Sequence, residues 1–275
     1  MIDLHTHTTA SDGRCTPTEL VTRAAAAGVE VLSVTDHDTV AGCAAAAGAC
    51  RAAGIEFVAG IEVTAVLDGV DVHTLGYFID VASPAFTVFL TEQRRQRVDR
   101  LREIVKRLET HGIVLDADAI LKPAIDDPSV SVGRPWIARA LVEAGRVQTV
   151  NDAFSLWLKT GRPAFVPRVG APPDEVIESI HSARGIASVA HPGASVRDEW
   201  LPVWVKRAGL DAIEAYHPDH DAATTKRYVE LAARLGVAVS GGSDYHADQS
   251  HGSVSIGGVS LPREAYERLK TLRSE

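Results

Sequence analysis

The sequence is poor in sulfur and in aromatic rings. It has three cysteines and one methionine in 275 residues, and Phe, Trp and Tyr together make up 5%. Cys15, Cys43 and Cys50 form no CxxC pair, so neither a thiolate zinc site nor a disulfide framework is expected. Cys43 and Cys50 lie in an alanine-rich stretch and read as small helix-packing residues. With so few aromatics, base stacking has only Trp136 and Tyr216 as candidates. Basic residues are outnumbered, 28 Lys plus Arg against 36 Asp plus Glu, for a formal charge of −8. That excludes a surface built to coat nucleic acid, while leaving room for a local basic pocket. No apolar run reaches the roughly 18 residues of a membrane span. Met1 leads straight into Ile2-Asp3-Leu4-His5 with no apolar signal segment. The expectation is a soluble cytoplasmic protein with no membrane attachment and no indicated protein partner.

What the chain does have is apolar bulk and imidazole. A hydrophobic content of 45% excludes disorder, and the length suits one large domain, or a large domain with an insert. Helix 17–28, opened by Thr16-Pro17 as cap and first residue, leads to a strand over 31–35 and a helix over 39–53. Strands over 56–63 and 70–79 follow without a long helix between them. After residue 172 the alternation resumes. Helix 173–184 precedes strand 186–190, helix 198–208 precedes strand 212–216, and helix 221–235 precedes strand 237–240. A helix over 262–274 closes the chain. Such alternation argues for parallel βα units, in a barrel or an open sheet. Residues 84–165 break the rhythm with helical periodicity at 91–111, 134–145 and 150–159. This is the profile of a helical insert over 83–165, bounded by Ser83-Pro84 and by Pro163 to Pro167, between segments 1–82 and 166–275.

The eleven histidines are not scattered. His5 and His7 sit two apart in the first strand and share a face with Asp3. Ligand-type residues recur at or just past strand ends: Asp36-His37-Asp38, Glu62, His73, His191, and Asp244 with His246. In parallel α/β folds those ends converge on one rim, where the chemistry is placed. Mixed imidazole and carboxylate suits manganese, iron or zinc rather than calcium or copper–thiolate chemistry. With Asp12 the candidates are His5, His7, Asp12, His37, Glu62, His73, His191, Asp244 and His246, a supply that fits two or three divalent ions, manganese foremost. Three such ions would bring the formal charge from −8 to −2.

His5-Thr6-His7, Ser11-Asp12-Gly13, Thr35-Asp36-His37-Asp38, Gly60-Ile61-Glu62, Ala190-His191-Pro192 and Ser243-Asp244-Tyr245-His246 resemble the motifs of the PHP (polymerase and histidinol phosphatase) superfamily. The resemblance covers residues 1–80 and 165–275 and implies a distorted seven-stranded (β/α) barrel with a di- or trinuclear metal centre. Carried over residue by residue, it implies that His5, His7, Glu62 and Asp244 hold a first metal. Glu62, His73 and His191 would hold a second, and Asp12, His37 and His246 a third. Many relatives carry histidine where this chain has Asp12. The insert resembles the branch acting on nucleoside 3′,5′-bisphosphates and on 5′ ends of short RNA, through Ser131-Val132-Gly133-Arg134-Pro135 and Lys159-Thr160-Gly161-Arg162-Pro163-Ala164.

The expected reaction is phosphate ester hydrolysis by a hydroxide lying between the metals joined by Glu62. His217 is the candidate for contacting substrate phosphate or protonating the leaving oxygen. Ser131 and Arg134, at a helix start, make a second phosphate clamp, with Lys159 and Arg162 as further candidates. The metal end would release a 3′-phosphate while the clamp holds the 5′-phosphate. Asp36 and Asp38 are expected to support ligands or to cap helix 39–53. The run Arg94-Arg95-Gln96-Arg97 reads as a solvated helix face, and His111, His181, His220 and His251 as surface residues. Alternatives are a 5′–3′ exoribonuclease on short RNA, a histidinol-phosphate-type phosphatase, a non-catalytic metal-stabilised module and a C–N amidohydrolase. The last lacks a candidate lysine bridge at a strand end.

Overall fold

In the computed structural model, which describes residues 1–248 and 254–273, the framework is a seven-stranded sheet whose spatial order is the chain order. The strands are β1 (Ile2–Asp3), β2 (Val31–Val34), β3 (Glu56–Leu67), β4 (Val70–Tyr77), β5 (Ile186–Val189), β6 (Ala212–Tyr216) and β7 (Ala238–Gly241). The sheet curls until its ends meet. Beyond β1 the Leu4 N–H donates to the Gly241 carbonyl at 3.2 Å, and the His7 N–H to the Tyr245 carbonyl at 2.9 Å. The architecture is therefore the expected α/β barrel. β1 stops short of His5 and His7, which were expected within the first strand, because past Asp3 the chain bonds alternately to both neighbours without a continuous ladder: the Thr35 N–H donates to the Thr6 carbonyl at 2.8 Å.

Neighbouring strands are parallel except β3–β4 and β4–β5, which are antiparallel. The reversal originates in two residues. Asp68 and Gly69 both have positive φ, 51° and 77°, the conformation of a two-residue hairpin turn. β4 therefore runs backwards, and His73 reaches the rim from the first half of a reversed strand rather than from a carboxyl end. Glu62 likewise lies inside the 12-residue β3, opposite Leu75, not at its end.

The helices are α1 (Pro17–Ala26), α2 (Cys43–Ala53), α3 (Pro84–Thr110), α4 (Ala117–Asp126), α5 (Arg134–Glu143) and α6 (Val150–Ala153). They continue with α7 (Pro173–Ser182), α8 (Pro192–Ser195), α9 (Leu201–Ala208), α10 (Ala222–Leu235) and α11 (Arg263–Thr271). Thr16 and Glu19 form a capping box at α1, with Pro17 in the first turn. α3 starts earlier than expected: Ser83-Pro84 is a helix cap and first residue, not a linker. α4 was not anticipated, and the segment expected at 150–159 is α6 followed by a π-helical turn over Phe154–Leu158.

One apolar cluster fills the barrel with a residue from every strand: Ile2, Val31, Val58, Leu75, Ile186, Ala212 and Ala238. Tyr266 and Leu269 of α11 pack into the same cluster. The middle helices bury a separate cluster that includes Leu101, Leu108, Ile137, Leu141 and Leu158. Along α3, Gln93, Arg97 and Arg100 are buried at spacings of four and three. The run Arg94–Arg97 is thus no solvated face. Arg95 is exposed and pairs with Glu92 and Asp99, but Arg94 donates to the Pro128 and Asp38 carbonyls and Arg97 is 4% exposed.

Candidate metal centre and phosphate recess

The rim is assembled by backbone that is locally strained. Asp38, His191 and Asp244 adopt positive φ of 51°, 26° and 51°, a region that non-glycine residues rarely occupy. Gly242 lets the end of β7 lie against β1: a Cβ there would stand 2.3 Å from the His5 nitrogen. These contacts gather seven imidazoles and three carboxylates from opposite ends of the chain.

Glu62 is the hub. Its Oε2 lies 3.5 Å from His5 Nε2, 3.3 Å from His7 Nε2 and 3.0 Å from His37 Nδ1. Its Oε1 lies 2.8 Å from His73 Nδ1 and 3.1 Å from His191 Nε2. The two oxygens of one carboxylate therefore face two groups of imidazoles. Asp244 Oδ1 stands 3.3 Å from His5 Nε2 and 3.1 Å from His7 Nε2. Asp12 stands 3.7 Å from His37 Nε2 and 3.3 Å from His246 Nε2. Burial raises the Glu62 pKa, but His37, His73 and His5 outweigh it and hold the carboxyl well below its usual range. Burial, with His246 beside it, presses the His7 imidazole down to about 3.

The donor set fits divalent cations. His5 Nε2, both nitrogens of His7, His37 Nδ1, His73 Nδ1 and Glu62 Oε2 are buried without an aligned hydrogen-bond partner. Leaving that many polar atoms unpaired in the interior would be costly. Four groups among the described residues have ligand atoms mutually within 4.8 Å: His5, His7 and Asp244; His37, Glu62 and His73; His7, Asp12, His37 and His246; and His5, Glu214 and His217. Each of the nine expected ligands belongs to a group or touches Glu62. His7 and His37 stand between groups that the sequence comparison had separated.

Hydrogen bonds to the far ring nitrogens fix the tautomers. Glu214 Oε1 accepts from His5 Nδ1 at 2.9 Å, and its Oε2 accepts from the His191 N–H at 2.7 Å. His246 Nδ1 donates to the Asp244 carbonyl at 2.8 Å. In the neutral form both rings therefore carry their proton on Nδ1 and turn Nε2 toward the cluster as a lone-pair donor. His217 differs. Its Nδ1 accepts from the Asp219 N–H at 3.2 Å, so the neutral ring carries its proton on Nε2, 3.5 Å from Asp244 Oδ2. Asp36 is held by Thr8 and Ser11, and Asp38 by Thr64 and Arg97. Neither caps a helix; α2 starts at Cys43 behind Gly42. Asp3 turns from the cluster to accept from Ser243 and Gly257. His220 is half-buried, bonded to the Ala215 carbonyl at 3.0 Å, and His181 pairs with Asp211 at 2.8 Å, so neither is a free surface residue. His111 is exposed, and His251 lies outside the described residues.

The cluster opens on a cavity lined by His37, His73, His191, His217 and Asp244. His37 and His73 also line a second recess with Asp12, Asp71, Arg97, Arg134 and Arg168. Here four guanidiniums share two carboxylates. Arg97 pairs with Asp38; Arg168 stands 3.8 Å from Asp38 and 3.6 Å from Asp71; Arg100 and Arg134 stand 3.6 and 3.4 Å from Asp71. Against these two carboxylates two positive charges are left over; the third carboxylate of the recess, Asp12, is turned to His37 and His246. Burial, with Arg97 beside it, lowers Arg168 to about 9, and its buried Nε has no hydrogen-bond partner. Arg134 opens α5 as expected, 27% exposed. Ser131 is buried, its N–H bonded to the Ala10 carbonyl. Lys159 and Arg162 are exposed on the turn after the π-helical segment and are not among the residues lining this recess. Sequence reasoning missed Glu214, Asp71, Arg100 and Arg168. Glu214 and Asp71 did leave a signal, each a lone acid inside an apolar strand.

Comparison with known proteins agrees with this geometry. Residues 3–142 match the PHP domain family. A 3′,5′-nucleoside bisphosphate phosphatase of Chromobacterium violaceum is 35% identical over 90% of this chain and 87% of its own length. A 5′-3′ exoribonuclease of Haemophilus influenzae is 38% identical over 89% of each. A solved structure from Bifidobacterium adolescentis, assigned as a metal-dependent phosphoesterase, superposes with a TM-score of 0.90 at 29% identity. The match covers 99% of this chain and 96% of that one.

Proposed function

Since the chain belongs to the PHP domain family of metal-dependent phosphoesterases, we propose that it removes the 3′-phosphate of nucleoside 3′,5′-bisphosphates such as adenosine 3′,5′-bisphosphate. The observation that carries this reading is the arginine recess. Two uncompensated positive charges match a dianionic terminal phosphate, and the recess shares His37 and His73 with the histidine cluster. A substrate with two phosphates one ribose apart would fill both.

His5, His7, Asp12, His37, Glu62, His73, His191, Asp244 and His246 would hold two or three divalent ions, manganese foremost. When bound, such ions lower the pKa of water and neutralise phosphoryl oxygens. Around them the chain does the rest. Glu62 joins the two imidazole groups, and Glu214 holds His5 in one tautomer. His217 Nε2–H, at the edge of the cluster, would donate a hydrogen bond to a phosphoryl oxygen, and the leaving 3′-oxygen would take its proton from solvent, because a ring whose Nδ1 accepts from the Asp219 N–H is neutral and a poor acid. Arg134 and Arg168 orient the 5′-phosphate, with Ser131 setting the turn into α5, so that residues 83–165 contribute to substrate-phosphate binding together with Arg168 from the segment that follows. Lys159 and Arg162 supply a weaker field from the turn beyond.

A second reading, exoribonuclease action on short 5′-phosphorylated RNA, is favoured by the 38% identity to the Haemophilus enzyme. It uses the same two sites, with a nucleotide on the leaving 3′-oxygen. The test compares phosphate release from adenosine 3′,5′-bisphosphate and from 3′-AMP, with a 5′-phosphorylated dinucleotide as a third substrate. The bisphosphate should lead 3′-AMP in kcat/KM by at least about tenfold, the scale of one charge-assisted contact, and Arg134→Ala should remove that lead. Equal kcat/KM for the two, unchanged by the substitution, would overturn the clamp.

A further inference from the structure

A second cavity, of about 420 Å³, lies behind the loop that carries Asp12, between residues 9–14 and helices α4 and α5. Its size is that of a small-molecule site, and the reaction proposed above does not use it. Two kinds of chemistry meet there. Trp136 lines it together with Ile120 and Pro123. The Trp136 indole N–H is committed to the Ser11 carbonyl at 3.0 Å, so the ring offers its π face rather than its donor. Arg14 and Arg139 line it as well. The Arg14 guanidinium takes part in no hydrogen bond or ion pair among the described residues and is exposed. Arg139 is lowered by burial and by the like charge of Arg14, against the opposing pull of Asp12. Arg139 Nη1 stands 3.4 Å from Asp248 Oδ2, which meets one of the two positive charges and leaves Arg14 beside the cavity to call for an anion. Glu143 lines the cavity too, and offers an acceptor for a ring N–H or a ribose hydroxyl.

We propose that this cavity is a second mononucleotide site, in which a base stacks on Trp136 and the phosphate lies between Arg14 and Arg139. Choosing a nucleotide over other aromatic anions rests on the function proposed above, whose reaction releases one. The position of the cavity gives the site a consequence. Three successive carbonyls of the Asp12 loop, at residues 10, 11 and 12, accept hydrogen bonds from the Ser131 N–H at 2.8 Å, Trp136 Nε1 at 3.0 Å and Arg139 Nη1 at 3.1 Å. Two of those three donors line the cavity. An occupant that recruits Arg139 therefore loosens the hold on Asp12, and the released nucleotide slows the enzyme from outside the catalytic cluster.

The test is calorimetric titration of 5′-AMP into the full-length, manganese-loaded protein. Wild type should bind about two equivalents and each single-site variant about one. Arg14→Ala and the cavity-filling Ala140→Leu should remove one site, and Arg134→Ala the other. In steady state, inhibition by 5′-AMP should be mixed for wild type and purely competitive for Arg14→Ala. Thermal melts establish that the variants are folded. A single equivalent in wild type overturns the proposal, as do two equivalents that survive both Arg14→Ala and Ala140→Leu. Purely competitive inhibition of wild type overturns the coupling to Asp12. Two binding sites in a protein that hydrolyses no bisphosphate would sustain this site while refuting the function proposed above.

Discussion

Replacing Arg168 by methionine should separate substrate selection from stability. Removing one partner of a buried ion pair ordinarily costs about 3–5 kcal/mol, because it strands the other charge. Here nothing is stranded. Asp38 keeps Arg97, and Asp71 keeps Arg100 and Arg134. The substitution also relieves the repulsion that, after burial, holds Arg168 at about 9. Methionine retains much of the side-chain volume, so packing loss is small. Stability should therefore change by no more than about 1 kcal/mol, or roughly 2–4 °C in Tm for a chain of this size. A charge-assisted contact to a phosphate is worth about 1.5–3 kcal/mol, which is about ten- to a hundredfold in kcat/KM. That loss should appear with adenosine 3′,5′-bisphosphate, mostly in KM, and be absent with 3′-AMP. The assay is phosphate release on the two substrates, paired with a thermal melt. A fall in Tm well beyond those few degrees, with the ratio of kcat/KM values unchanged, would make Arg168 a structural counter-ion and refute the reasoning.

Three further outcomes follow from the geometry. Glu214→Gln weakens the acceptor that fixes His5, and should cut metal affinity about ten- to a hundredfold; manganese retained after dialysis against graded chelator measures it, and retention equal to wild type would contradict the role. Gly242→Ala would drive a methyl to 2.3 Å from the His5 nitrogen, with further close contacts at His5 Cβ and Cα, and should leave little folded protein, as read by far-ultraviolet circular dichroism and yield; a wild-type melt would show that the backbone there is more yielding than its packing implies. Burial pushes the Cys43 thiol up to about 12 and the Cys50 thiol up to about 11, and raises Cys15 as well; at pH 8 the thiolate fraction of Cys43 is on the order of 10⁻⁴, so a disulfide reagent should find no rapidly reacting thiol in the native protein and all three after unfolding.

Much of the rim was legible because imidazole and carboxylate are conspicuous against apolar strands. His5 with His7, His37, Glu62, His191 and Asp244 with His246 all stand out as polar interruptions of buried segments. The reversed strand was written in Asp68-Gly69, a pair that marks hairpins, although its consequence for His73 needed the sheet. The arginine recess was not legible. Arg97 and Arg100 sit on a helix rich in charge, where amphipathic logic assigns charge to solvent; only the third dimension brings Asp38 and Asp71 beneath them. Arg168 follows a proline in a loop and belongs to no periodic pattern. Lys159 and Arg162, chosen on resemblance, stand exposed beyond the π-helical turn, a local irregularity that no propensity announces.

The central claim is that the histidine cluster acts on the 3′-phosphate while the arginine recess holds the 5′-phosphate. The most direct measurement is the identity of the nucleotide left when the manganese-loaded enzyme hydrolyses adenosine 3′,5′-bisphosphate, followed by phosphorus NMR. The account predicts 5′-AMP with one equivalent of inorganic phosphate. Accumulation of 3′-AMP would place the substrate the other way round and contradict it.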